Sequence, residues 1–597
     1  MPPLELPALV KRAAITGAAN ANPPDSIDAN ASPFDAEEKA ARLLAAQLGL
    51  QFLPSLNGTQ ISGREEDCLE LLRREGPQVW ACIDGASSTP SAVVVPNSRA
   101  AHALQPTRAS AHPLKSRIRV ATARTVRKAL QERAAKALTY FATNGLFDLM
   151  PGYSARIRIN STQGVMVGSA FVVLAQLLWF HFQIALLTLH VLATVFFVGC
   201  TILRFAAALQ PAPRIAKIPP PLRPEPVYTV LVALWREANM APQLLEALSG
   251  LDWPKDRLEI KLICEADDPE TIAAIESYRL AAAVEIIAVP ACDPRTKPKA
   301  LRYAMPMIRG EFVVLYDAED IPHPKQLREA FGVFDRSPLT LGCLQAPLEI
   351  VNGQKNWLTR CFAFEYAALF RGLVPWLASR RLVFPLGGTS NHFRRAVLEA
   401  VGGWDPHNVT EDADLGIRLA RMGYSAGTLT HPTYETAPDV LSDWFPQRAR
   451  WNKGWLQTWL VHMRSPAQLI RDLGVGSFLI TQFVLFGMVF SAIIHPLMVL
   501  AIPYFLYVVV FGMPLTSLDR WLVGVDLLSI IGGYAGFLFL GISRMRGAER
   551  ADIWSIVAAT PAYWLLISLA SWKALRDLCL RPFHWDKTSH KPFTFTP

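Results

Sequence analysis

"EFVVLYDAED", Glu311 to Asp320, is an apolar run of strand length that stops at three carboxylates in four positions. Three earlier runs have the same character: "TVLVAL" (229–234), "LEIKLIC" (258–264) and "VEIIAV" (284–289), with helix-like segments between them. Such alternation predicts a parallel sheet with helices on both faces, and ligands in such sheets bind beyond the carboxyl ends of the strands. The acids lie at those ends, "CEADD" (264–268) after the second run and "DAED" (317–320) after the fourth.

Carboxylates at the end of a buried strand are costly unless positive charge compensates them, and a divalent metal with bound phosphates is a common solution. Alternation along an extended segment puts Asp317 and Glu319 on one side, which suits two oxygen ligands to Mg²⁺ or Mn²⁺, with Asp320 beside them. The same acids also suit a surface turn that caps the helix begun at "PHPKQL". Glu265, Asp267 and Asp268 read as a nucleoside contact or as a cap before Pro269. Lys297 and Lys299 in "TKPKALRYAM" reach a diphosphate or are simply solvated.

Outward from this region the chain changes character. Its 597 residues are 51% hydrophobic and 18% charged, with mean hydropathy +0.22, too apolar for an ordinary soluble enzyme and too charged to be wholly membrane embedded. No charge occurs from Gly164 to Leu203, so residues 163–204 are expected to form a transmembrane hairpin turning near "WFHF". Arg156 and Arg158 before it, and Arg204, Arg214 and Lys217 after it, place both ends in the cytoplasm. Beyond Asp472, within 473–573, four spans are expected at 475–494, 496–512, 521–541 and 553–572, six in all, because Pro496 and Pro503 break the first run. A single helix over 475–511 is the alternative. It would bring "RMRGAER" inside but export the basic tail, 574–597.

The net charge of +9 is concentrated in Lys115, Arg117, Arg119, Arg124, Arg127, Lys128, Arg133 and Lys136, which read as a membrane-facing segment. No nucleic-acid motif accompanies them. Residues 1–35, without a signal-peptide core, read as a disordered tail, and 36–150 as a small α+β domain for regulation or docking. That domain faintly resembles the N-terminal domain of secretion ATPases but lacks its distinctive ligand pattern. Eight scattered cysteines without CxxC pairs read as reduced and structural.

Two further stretches complete the pattern. In "NVTEDADLGIRLARMGY" (408–424) the acids Glu411, Asp412 and Asp414 complement a helix dipole, or one of them does chemistry. In "DWFPQRARWNKGWLQTW" (443–459) Trp451, Trp455 and Trp459 recur every four residues among Arg448, Arg450 and Lys453. Such a helix, near 443–462, suits a membrane surface, and its indoles and arginines equally suit an acceptor sugar and a leaving phosphate.

The ordered series "DAED", "GGTSNH", "TED" and "QRARW", flanked by apolar helices, resembles the membrane-bound family 2 glycosyltransferases of the cellulose-synthase-like inverting branch. The resemblance implies a GT-A (Rossmann-like) α/β domain over 225–466, inserted between transmembrane helices. It implies Mg²⁺ or Mn²⁺ held by Asp317 and Glu319, with Asp320 competing, and Asp412 as general base. Glu237, Glu265, Asp267, Lys299, Gln447 and Arg450 would meet the nucleotide and diphosphate, and Trp451, Gly388, Thr389 and Glu411 the acceptor, near Gln345. The implied enzyme is a hexosyltransferase of the bacterial inner membrane with a cytosolic site. It would use UDP-glucose to extend and export a β-glycan, or would load one sugar onto a lipid carrier, with export or regulatory proteins as possible partners.

Overall fold

The computed structural model describes residues 33–62, 64–73, 81–84, 90–96, 117–212, 218, 220–278, 283–512, 516–583 and 591–593. The tail expected to be disordered falls outside them as far as residue 32, as do Lys115, Arg214, Lys217 and most of the C-terminal tail.

The small domain holds helices α1 (Pro33–Leu48) and α2 (Glu65–Arg73), and strands β1 (Gln51–Phe52), β2 (Ile61–Ser62), β3 (Ala81–Asp84), β4 (Pro90–Val94) and β5 (Ile118–Val120) in the order β1-β5-β4-β3-β2. Helices α3 (Ala123–Arg133) and α4 (Ala135–Leu149) follow. Two of their basic residues pair with acids of the following unit. Arg127 pairs with Glu285 at 2.9 Å, Arg124 with Glu276 at 2.9 Å, and Lys261 shares Glu285 at 2.7 Å. The basic run therefore fastens the small domain to the next sheet, where buried acids need cations.

That sheet contains β6 (Tyr228–Leu234), β7 (Leu258–Glu265), β8 (Ala283–Val289) and β9 (Phe312–Tyr316), the four expected runs, all parallel. The complete order is β14-β11-β13-β9-β6-β7-β8, with β11 (Leu341–Gln345), β13 (Asn391–Arg394) and β14 (Ser425–Thr428). The sheet is mixed rather than parallel. β13 runs antiparallel to both β9 and β11, since the chain enters it from the "GGTS" loop at the same edge where β9 ends. A second sheet, β10 (Ile321–Pro322), β15 (Thr433–Glu435) and β12 (Leu348–Ile350), closes over that edge. Buried apolar side chains on both faces of β6, β7 and β9 hold the sheet.

Among the described residues, five helices are long and apolar enough to cross a membrane. They are α5 (Ser161–Phe180), α6 (Phe182–Leu209), the continuous path of α11 (Pro466–Thr481) into α12 (Gly487–Val510), α13 (Ser517–Arg544) and α14 (Ile553–Leu580). Of the helices between, four bear on the site: α7 (Lys297–Ala304), α8 (Trp357–Ala368), α9 (Glu411–Arg421) and α10 (Leu441–His462). Expectation and structure differ at Pro496 and Pro503, which lie inside α12 instead of dividing it, because neighbouring helices tolerate the missing amide hydrogen bonds.

α14 starts where Asp552 pairs with Arg360 at 2.7 Å and ends where the Arg581 carbonyl accepts from Lys453 at 3.2 Å, both partners lying on helices of the sheet domain. Between these points it runs beside α10, with Asn452 donating to Ser571 at 2.8 Å. Its outer face exposes Leu565, Leu569, Trp572 and Leu575, an apolar stripe at helical spacing. It is thus anchored to the sheet domain at both ends and carries an exposed apolar face.

Candidate active site

The strand ends, α9 and α10 converge on one cavity of about 480 Å³. At its floor the turn after β9 is drawn inward. Asp320 is fully buried, one carboxylate oxygen accepting the Asp317 amide at 2.7 Å and the Thr389 hydroxyl. Its other oxygen, Oδ1, has no hydrogen-bond partner among the described residues. Asp317 and Glu319 line the cavity on either side of Ala318. Lys297, first residue of α7, bonds Asp317 and the Gly388 carbonyl, the latter at 2.7 Å. Burial raises Asp320 well above the usual carboxylate range, and the charges of Asp317 and Glu319 add to the effect.

The "TED" turn sits opposite. Thr410 does not cap α9 with its side chain; it packs against α10 at Gly454, where a Cβ would lie 2.4 Å from the Thr410 methyl. That glycine lets the two helices approach and sets the turn. Asp414 faces away into the core, fully buried between Arg418 at 2.6 Å and His462 at 3.0 Å. Glu411 and Asp412 line the cavity. Burial pushes Asp412 up to about 6, against the pull of the Ala413 amide, Lys297 and Arg450. Burial and the charge of Asp412 push Glu411 up to about 7. A Cβ at position 388 would stand 3.5 Å from Asp412 Oδ2, so the glycine keeps the carboxylate open to the cavity.

α10 supplies the third wall. Gln447, Arg450 and Trp451 fall at i, i+3 and i+4, one helix face, and all three line the cavity. Arg448 turns away into a bidentate pair with Glu365, at 2.7 and 2.8 Å, and donates to the Tyr563 hydroxyl at 3.1 Å. Its guanidinium also lies 4.8 Å from the Trp451 ring, which leans on Phe362 and Tyr366. The indole stripe divides. Trp451 and Trp455 face the cavity, while Trp459 stacks on Phe486 at 4.7 Å and donates to Gln482 at 2.8 Å. From Asp317 the cavity passes Tyr366, Phe370 and Trp455 to Met488 on α12.

Most residues singled out in the sequence meet here: Glu237, Glu265, Asp317, Glu319, Gly388, Thr389, Glu411, Asp412, Gln447, Arg450 and Trp451 all line the cavity. Lys299 does not. It is fully buried and pairs with Glu265 at 2.8 Å, because positions two apart on a helix point to different sides and only Lys297 faces the acids. Lys299→Met is therefore expected to destabilise the fold by about 3–5 kcal/mol, by stranding a buried carboxylate, as read by chemical denaturation. Asp267 also lies off the cavity, paired with Arg295 at 2.8 Å on the surface. Thr389 is 3% exposed and serves chiefly to hold Asp320.

The sequence reading passed over Glu435, which lines the cavity from β15. Burial, with the charges of Asp320, Glu319 and Asp317, raises it well above the carboxylate range. Only strand pairing brings it there, so no local motif announces it. Two non-glycine residues with left-handed backbone also border the site, Arg236 (φ 55°) beside Glu237 and Ser390 (φ 60°) after Thr389. Such strain persists where the surroundings enforce it, commonly at functional sites.

Residues 312–523 match the family described as "Glycosyl transferase family group 2". The chain is 29% identical over 273 residues to a beta-monoglucosyldiacylglycerol synthase of Synechocystis sp., covering 44% of this chain and 55% of that protein. It is 27% identical over 206 residues to glucomannan 4-beta-mannosyltransferase 2 of Arabidopsis thaliana, covering 33% and 38%. The chain thus spans about half the length of the first of these curated relatives. Among solved structures it is similar to the mannosyltransferase PcManGT from Pyrobaculum calidifontis, with 19% identity, TM-score 0.38, and coverage of 64% of this chain and 98% of that one. The matched stretch holds the acid turn, the "TED" turn and "QRARW".

Proposed function

We propose that this domain transfers a hexose, with inversion, from a UDP-sugar, most simply UDP-glucose, to a β-glycan that it extends processively at a bacterial inner membrane. The observation that carries the reading is the single cavity joining acid turn, Asp412 and Arg450 to Trp451, Trp455 and Met488. Donor chemistry, acceptor platform and an apolar helix border one cavity.

The acid turn offers hard carboxylate oxygens to Mg²⁺ or Mn²⁺, and buried Asp320 keeps one oxygen without a partner among the described residues; these residues hold no group of three or more acids, histidines or cysteines arranged around an ion, so the donor diphosphate would have to complete its coordination. When bound, such an ion would neutralise the donor diphosphate and make it a better leaving group. Lys297 and Arg450 add fixed positive charge on the same side of the cavity. Glu237 and Glu265 line the nucleotide end. Asp412 takes the proton from the acceptor hydroxyl as it attacks, and one displacement with one base gives a β product from an α-linked donor. Trp451, held by Tyr366 and Phe362, offers its indole face to the acceptor sugar.

A second reading, transfer of one sugar to a lipid, draws on the similarity to the glucosyldiacylglycerol synthase and on the apolar end of the cavity at Leu369, Leu386 and Met488. Membranes supplied with labelled UDP-glucose separate the two. A polymer that resists chloroform extraction is expected; a product confined to a single-sugar, chloroform-soluble lipid rules out processivity. Trp451→Ala is expected to weaken the acceptor by about 1–3 kcal/mol, shortening the product while UDP binding holds, as read by chain-length analysis.

A further inference from the structure

From Arg450 the sequence of α10 continues in steps of four through Gly454, Thr458 and His462, one ridge of the helix, and past Arg450 this ridge leaves the cavity lining. It meets the "TED" turn instead. Beyond the close contact of Gly454 with Thr410, Gln457 brackets the backbone just ahead of the turn. Its amide nitrogen donates to the His407 carbonyl at 2.9 Å, and its amide oxygen accepts from the Val409 N–H at 3.4 Å. The Thr458 hydroxyl accepts from Asn408 Nδ2 at 2.9 Å, while Asn408 Oδ1 accepts from the Thr410 N–H at 3.1 Å. At the far end His462 bonds Asp414 at 3.0 Å. Arginine can only donate, so the 3.3 Å contact from Arg421 makes His462 Nδ1 the acceptor and puts the ring hydrogen on Nε2, facing Asp414. Asn408, Asp414, Gln457, Thr458 and His462 are all fully buried. A satisfied polar network of this kind fixes sliding and rotation between two elements, which apolar contact alone does not. From Gly454 to His462 it runs along about 12 Å of helix.

We infer that Gln457, Thr458 and His462 are positioning residues: this buried zipper holds Asp412, in the turn, at its working distance from Arg450 and Trp451, which stand one turn of helix ahead of Gly454. The inference rests on the reading of Asp412 as the base. α10 has its own anchors, Arg448 to Glu365 and Asn452 to Ser571, so loosening the zipper releases the turn and leaves the diphosphate contacts in place. Turnover then falls while donor binding holds, since a misplacement of about 1 Å can cost about 10²-fold. The pH profile reports the same release. Lys297 from α7, Arg450 from α10 and Glu411 of its own turn act on Asp412, and Asp317, Glu319 and Glu435 line the same cavity. Burial is what raises Asp412, so a released turn that admits water lowers it and moves the acid limb of kcat to lower pH.

The test uses the purified full-length protein in lipid with UDP-hexose donors, and measures kcat, UDP affinity, the acid limb and melting temperature. The variants are Gln457→Leu, Thr458→Val, Thr458→Ser and Asp412→Asn. Gln457→Leu and Thr458→Val are expected to lower kcat by about 10- to 10²-fold, with UDP affinity unchanged and the limb at lower pH. Thr458→Ser keeps the hydroxyl and should recover the wild-type rate and limb. Lys299→Met, buried but outside the zipper, is the control that loses stability with its limb in place. Wild-type kcat in both Gln457→Leu and Thr458→Val overturns the positioning role. So does a loss of rate that leaves the limb unmoved, or one that Thr458→Ser shares with Thr458→Val, since a merely structural role gives those results. If Gln457→Leu does not fold, the two Thr458 variants decide by the same criteria. An inactive Asp412→Asn beside a fully active Thr458→Val removes the zipper and spares the base. Wild-type turnover in Asp412→Asn, or no turnover of any UDP-hexose by the wild type, overturns the base reading and this inference with it.

Discussion

Asp412→Asn is expected to lower kcat by about 10² to 10⁴ while UDP binds as in the wild type. The amide fills the same space at the start of α9, so the helix and its buried Asp414–Arg418–His462 cluster stay intact. What disappears is an acceptor for the proton of the attacking hydroxyl. The wild-type rate should also depend on pH in a specific direction. A base acts only when ionised, and burial has raised Asp412 to about 6, so kcat should hold above neutrality and fall as pH drops through about 6. An Asp412→Asn enzyme that turns over at the wild-type rate would remove the base from this site.

Lys297→Met is expected to reduce kcat by about 10² to 10³, the usual cost of removing one preorganised group from developing negative charge. It should also move the acid limb of the pH profile upward. Lys297 and Arg450 both favour the ionised form of Asp412, and losing either cation leaves burial less opposed. The profile separates this role from a purely local one. A lysine that only braced Asp317 would change the rate at every pH without shifting the limb. Lys299→Met, two residues away, should do the reverse: it lowers stability and leaves the limb in place.

Lys297 and Lys299 also show where sequence was legible. Each strand of the parallel half was readable, because buried β runs are continuous apolar stretches bounded by acids. Both lysines looked equivalent in "TKPKALRYAM", since the first turn of α7 could be oriented only by packing. β13 reverses the sheet for a reason no propensity records, namely the entry of the "GGTS" loop at the end of β9. Pro496 and Pro503 looked like helix ends because the rule that proline breaks helices comes from water. α14 has the composition of a span, and nothing in that composition announces its two anchors, at Arg360 and Lys453. Asp412 was readable as a candidate from its motif, whereas Glu435 needed the pairing of β10 with β15.

The anomeric configuration of the first sugar transferred tests the mechanism most directly. With UDP-α-glucose as donor and the purified full-length protein in lipid, the product linkage read by proton NMR should be β, as a single displacement with one base requires. An α-linked product would contradict inversion, and with it the assignment of Asp412 as the sole base in one step.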